Sequence, residues 1–142
     1  MQQVKASSTS RGGFAWHLDA SASAIAEARS AFEAWLREVG AVEDDVQDMA
    51  VVLSELASNA AAGAAPGSGA DISAVLDRDE LRLEVANRID SRLDDITRWD
   101  LDDPLRGGGR GLLIVRAYTD SMEVLSADET VTVRCRRRLD LQ

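Results

Sequence analysis

Phe14, Trp16 and Leu18 alternate with Ala15, His17 and Asp19, the period-two pattern of a strand with one buried face. Residues 1–13 are rich in Ser, Gln and Gly with little to bury, which predicts a frayed tail and order from Phe14 onward. His17 falls on the polar face, which argues against a catalytic role. The polar cluster at 19–23 can cap a helix. Ile25, Ala28, Phe32, Trp35, Leu36 and Val39 then recur at helical spacing, and Gly40 supplies a stop. A second helix is predicted from Asp44 to about Ala62, with Asp45 and Asp48 near the positive end of its dipole. Val46, Met49, Ala50, Leu53, Leu56, Ala57 and Ala60 form its core stripe. Glu55 and Asn59, about 40° apart in projection, share the opposite side with Val51, Val52 and Ala62. That mixed face reads either as the floor of a covered pocket or as ordinary helix surface.

Residues 64–70, with Pro66, Gly67, Ser68 and Gly69, read as a loop. Ile72, Ala74 and Leu76 alternate with Ser73, Val75 and Asp77, and Leu81, Leu83 and Val85 with Arg82, Glu84 and Ala86, a hairpin ending at Asn87. From Arg88 to Gly108 the chain is polar and irregular, and a connection of that length in a small domain usually serves function. Leu112 to Tyr118 reads as a third helix. Met122, Val124 and Leu125, then Val131, Val133 and Cys135, predict a last hairpin. The pattern describes an α+β fold, a two-layer sandwich of a mainly antiparallel, mixed sheet packed against helices.

With 142 residues, 45% of them hydrophobic and 29% charged, the chain suits one well-buried domain, expected over 14–142. The balance of 16 Lys and Arg against 25 Asp and Glu gives a net charge of −9, which disfavours phosphate-neutralising partners such as nucleic acid or an anionic membrane. Cys135 has no cysteine partner in the chain. No apolar run approaches the roughly 18 residues of a membrane span and no signal peptide is visible, so a cytoplasmic address is expected. Arg134, Arg136, Arg137 and Arg138 form a basic run that either meets an acidic partner or is a solvated strand end. Asp90, Asp94, Asp95, Asp100, Asp102 and Asp103 match no EF-hand spacing and read as a solvated segment.

Gly107, Gly108, Gly109 and Gly111 precede the third helix, where free backbone N–H groups and the dipole favour an anion. The run lacks the Gly-Lys-Ser/Thr of a P-loop and follows no strand, so it is either a phosphate cradle or a flexible hinge.

The order of features carries more: Glu55-Leu-Ala-Ser-Asn59-Ala60 on a helix, Leu83-Glu-Val-Ala-Asn87 ending a strand, a long polar loop, Gly109-Arg-Gly-Leu112 opening a helix, and Thr130-Val131 starting the last strand. From about Phe14 to Leu139 this resembles the GHKL ATPase family of gyrase, MutL and histidine kinases, with its histidine kinase-like, Bergerat-type ATPase fold. Size and box wording look most like the small bacterial anti-sigma factors of the RsbW type, which are also serine kinases. The resemblance implies binding of ATP with Mg²⁺, sequestration of an RNA polymerase sigma factor, phosphorylation of a serine on a STAS-domain anti-anti-sigma protein, and a homodimer. It implies Asn59 as Mg²⁺ ligand and Glu55 as general base. Gly109, Gly111 and Leu112 match the loop over the phosphates, with an ATP lid at about 88–108. Arg110 either adds a phosphate contact or faces solvent, and Thr130 matches the threonine beneath the adenine.

Departures stand beside these matches. The family's Asp-x-Gly box reads Asn87-Arg88-Ile89 here, and asparagine accepts a hydrogen bond from the adenine amino group only through its carbonyl oxygen. Gly63 stands near the place of a frequent histidine, and Glu129 stands where a glycine precedes the threonine. No phosphoacceptor helix is seen before Phe14, which points away from a self-contained histidine kinase. Three functions follow: an ATP-dependent protein-serine kinase that also sequesters a sigma factor, a regulator of the same fold working by protein contacts alone, or an ATPase-fold regulator paired with a separate sensor or phosphatase.

Overall fold

The computed structural model describes residues 7–10, 12–19, 21–63, 69–88 and 111–142. Strands β1 (Ser7–Ser10) and β2 (Gly13–Leu18) form a hairpin, followed by helices α1 (Ala22–Glu38) and α2 (Glu43–Gly63). Strands β3 (Ala70–Asp77) and β4 (Glu80–Arg88) form the next hairpin. Helix α3 (Gly111–Tyr118) then leads into β5 (Ser121–Ala127) and β6 (Thr130–Arg138). Asp90, Asp94, Asp95, Asp100, Asp102, Asp103, Ile89 and the rest of the expected lid after Arg88 lie outside the described residues.

β1 stands ahead of the expected start at Phe14. It pairs antiparallel with β2, Thr9 opposite Phe14. A backbone ladder needs no apolar side chains of its own, so this polar segment extends the sheet without leaving a hydrophobic pattern to read.

α1 begins where the polar cluster placed it. The Ser21 side chain accepts from the Ala24 N–H at 3.1 Å, and Gly40, at φ 101°, takes the left-handed turn after Val39. Ala28, Phe32, Trp35 and Leu36 are buried on one side, and Phe32 and Trp35 pack their rings on Phe14 at 5.4 and 5.8 Å. Removing the Phe32 ring would cost about 3–5 kcal/mol, as a cavity among aromatics cannot collapse. All seven residues of the α2 stripe are 3% exposed or less. Val52, which the projection grouped with Glu55, is also buried, because it lies two turns on from Asp45 on the flank of α2 that meets α3, which widens the covered arc.

The six strands run in the order β1-β2-β3-β4-β6-β5, every described pairing antiparallel. One face carries Phe14, Leu18, Ile72, Ala74, Leu81, Leu83, Val85, Val131, Val133 and Cys135 against the helices, which makes the α+β two-layer sandwich. The other face is polar, with Ser73, Glu84, Arg134 and Glu123 side by side in register across β3, β4, β6 and β5. Arg134 donates to Glu84 at 2.7 Å, Arg136 to Glu123 at 3.2 Å, and Arg138 lies 3.6 Å from Asp79. The basic run is thus neutralised by acids of this same chain. The chain's end is tied down too: Leu139 is buried, and the Gln142 N–H donates to the Gly40 carbonyl at 2.8 Å.

Candidate functional site

Two helices and a strand end at one place. Arg137 on β6 contacts Asp45 in the first turn of α2 and the carbonyl of Tyr118, the last residue of α3. α2 and α3, which pack together, therefore run antiparallel, the start of one beside the end of the other. Fourteen residues of α2 carry it about 21 Å from Asp45 to Asn59. Along the sheet, six residues of β6 cover about 20 Å from Arg137 to Val131, the register partner of Asn87. Asn59, Asn87 and the N-terminus of α3 consequently share the end of the molecule opposite Arg137. The chain returning from α2 confirms the level, because β3 starts at Ala70, directly opposite Asn87.

Asn87 is 4% exposed on the helix-facing side of β4, and its Nδ2 donates to the Arg88 carbonyl at a long 3.4 Å. Its carbonyl oxygen is the group left to accept from a ligand. Asn59 is half-buried, and its Nδ2 is buried with no hydrogen-bond partner among the described residues. A buried amide with unspent capacity costs free energy, and such positions are commonly kept for a ligand. Glu55, one turn earlier, is half-buried and lines a groove of about 410 Å³ with Arg29, Ser30 and Glu33 of α1 and Gln47 and Ser54 of α2. This groove was not foreseen, because it depends on how α1 lies against α2.

Gly111 opens α3, while Gly109 and Arg110 lie outside the described residues. Leu112 is 1% exposed, so its side chain serves the core and only its backbone remains for a ligand. Thr130 pairs with Arg88, one position on from the Asn87 and Val131 pair. Strand alternation puts it in the row of Thr132 and Arg134, so the structure does not bring it beside Asn87. His17 is exposed and bonds Asp71 on the neighbouring strand at 2.6 Å, away from these groups.

Among the described residues no three His, Cys, Asp or Glu side chains gather to hold a metal ion. The carboxamide oxygen of Asn59 fits Mg²⁺ nonetheless, since that ion takes hard oxygen ligands and keeps several waters beside phosphate oxygens. No helix is long and apolar enough to cross a membrane.

The fold is similar to that of the RsbU and RsbW domains of Rv1364c from Mycobacterium tuberculosis, at 23% identity and a TM-score of 0.68, over 89% of this chain and 32% of that one. The chain thus spans about a third of the length of that structure. It is similar also to the SiaB-SiaC complex from Pseudomonas aeruginosa, at 19% identity and a TM-score of 0.65, over 86% of this chain and 87% of that one. No curated protein sequence matches the chain. The family of histidine kinase-like ATPase domains matches residues 18–137, the span that holds α2, the strand end at Asn87 and α3, and the chain belongs to that family.

Proposed function

We propose that this chain binds Mg·ATP at the end of the sheet marked by Asn59, Asn87 and the start of α3, and works as a partner-switching protein-serine kinase of the anti-sigma type. The observation that carries this is the buried Nδ2 of Asn59, a donor unpartnered among the described residues and suited to a phosphate oxygen, in a side chain at the level of Asn87 where α2 and α3 pack antiparallel. The Asn87 carbonyl accepts from the adenine amino group, and the first turn of α3, with Gly109, Arg110, Gly111 and the 88–108 lid, receives the phosphates. Asn59 would hold Mg²⁺ through its carboxamide oxygen, and the ion would supply charge neutralisation during transfer. Glu55 takes the proton from the hydroxyl of an acceptor serine. The serine oxygen bonds to the γ-phosphorus as the bond to the β–γ bridging oxygen breaks, and ADP leaves.

The acceptor is a serine of a STAS-domain protein, and the sequestered partner is a sigma factor, with the kinase acting as a homodimer in the cytoplasm. The similar chain from Pseudomonas aeruginosa was solved in a SiaB-SiaC complex, which agrees with a role exercised through protein contacts.

Calorimetric titration with ATP and GTP, with and without Mg²⁺, tests the pocket, and phosphate transfer to STAS proteins of the same cell tests the chemistry. Metal-dependent binding selective for ATP is expected. Absence of binding up to millimolar ATP would replace this function with a regulator that acts by protein contacts alone, the reading favoured by Asn87 standing where the family has an aspartate.

A further inference from the structure

We propose that Arg137 is a positioning residue for the nucleotide site. Its guanidinium clasps the far ends of α2 and α3 and so sets how Asn59 and the N-terminus of α3 face one another at the other end. This rests on the nucleotide site proposed above.

Arg137 continues the inward row of Val131, Val133 and Cys135, where an apolar side chain would be the ordinary choice. Its side chain is only 17% exposed. One Nη donates to the Tyr118 carbonyl at 2.8 Å, and the other meets Asp45 and, at 3.1 Å, Asp48. Asp45 is 6% exposed, and its second oxygen accepts the Asp140 N–H at 2.8 Å. One planar fork therefore joins β6, the first turns of α2, the end of α3 and, through Asp45, the C-terminal segment. Arg suits this arrangement because its two Nη atoms reach opposite partners from one rigid fork, whereas a lysine carries its donors on a single nitrogen.

The helix it holds depends on it. An eight-residue helix is too short to be stable by itself in water, so contacts decide where α3 sits. Leu112 and Val115 bury one side, which leaves the helix free to pivot on that stripe. The guanidinium, together with the Asp120 N–H that donates to the Arg136 carbonyl at 2.8 Å, fixes the remaining end, and it is attracted by the negative pole of the helix there. Because α3 is about 12 Å long, an angular shift at Tyr118 becomes a displacement at Gly111, where phosphates would be received. The adenine end is carried by β4, whose place in mid-sheet does not depend on Arg137.

The test compares the full chain with the double variant Arg137→Met, Asp45→Asn, which removes both charges together and leaves an acceptor for the Asp140 N–H. Asp48→Asn, at a more exposed arm of the clasp, is a milder second variant. Amide exchange of α3 relative to β3 and β4, and calorimetric Kd values for Mg·ATP and for adenosine, are read at a temperature where all variants are folded. In the double variant α3 is expected to exchange about tenfold faster with β3 and β4 unchanged. The Kd for Mg·ATP should rise about tenfold while that for adenosine stays within about twofold. Arg137→Lys should recover part of the ATP affinity, and Asp48→Asn should shift both readouts in the same direction by less. Unchanged α3 exchange, or equal weakening of ATP and adenosine, overturns the positioning role. A parent protein that binds neither ligand overturns instead the nucleotide site, and with it what Arg137 would serve.

Discussion

Asn59 carries a buried Nδ2 with no partner among the described residues, so the side chain can be shortened at little structural cost. Asn59→Ala is expected to abolish Mg·ATP binding by calorimetry while changing unfolding free energy by less than about 1 kcal/mol, since its Nδ2 makes no hydrogen bond among the described residues. At Asn87 the two effects oppose each other. Asn87→Asp should tighten ATP binding about fivefold, because a carboxylate is the stronger acceptor, yet destabilise the ligand-free protein by about 1–2 kcal/mol by burying a charge at a 4% exposed position. Denaturant unfolding with and without ATP separates the two. Cys135 is buried on the core face, and burial pushes its thiol from 9.0 up to about 12. The unfolded chain therefore ionises first, and its contribution to stability is present below pH 9 and lost as pH rises toward 12. A variant with Cys135→Ala should show a shallower loss over that window, and thiol alkylation of the parent at pH 8 should proceed at the rate of unfolding.

Among the elements, the turn between β5 and β6 is the most improvable. Asp128 and Glu129 both take positive φ, 53° and 65°, as a two-residue hairpin of the I′ type demands; Asp suits the first position, but Glu129 stands where glycine is favoured. Replacing the pair by Asn and Gly should stabilise the domain by about 0.5–1 kcal/mol, read as a higher denaturant midpoint at unchanged slope. The loss of the exposed contact from Arg88 to Glu129 at 3.6 Å subtracts little from that. Elements of this kind were legible where side-chain periodicity reports burial. The α2 stripe, the α1 cap at Ser21 and the alternating rows of β3, β4 and β6 follow from one chain segment at a time. β1 was not legible, because its partner strand supplies its hydrogen bonds and its own side chains are polar. Val52 was misgrouped for a related reason, since a single-helix projection does not include the neighbouring helix.

For the molecule as a whole, the net charge of −9 and the internal pairing of Arg134, Arg136, Arg137 and Arg138 leave an acidic exterior. A protein partner of the proposed kind would present basic groups, and its association rate with this chain should fall several-fold between about 50 and 500 mM salt, measured by stopped flow. Arg136→Ala should leave that rate nearly unchanged, because Arg136 already spends its charge on Glu123. The residues of the candidate site were legible as types and spacings: Glu55 and Asn59 one turn apart on a helix, Asn87 at a strand end, glycines before a short helix. Helical and strand periods, together with the chemistry of each side chain, are properties of local sequence, and they determined the fold class, the core and these candidates. Only the tertiary structure decided that α2 and α3 run antiparallel, that Asn59 and Asn87 stand at one end, that Thr130 faces away from them, and that Arg137 holds the other end together. Those relations join residues as much as 92 positions apart, and register and helix packing, which no single segment contains, are what bring such residues into contact.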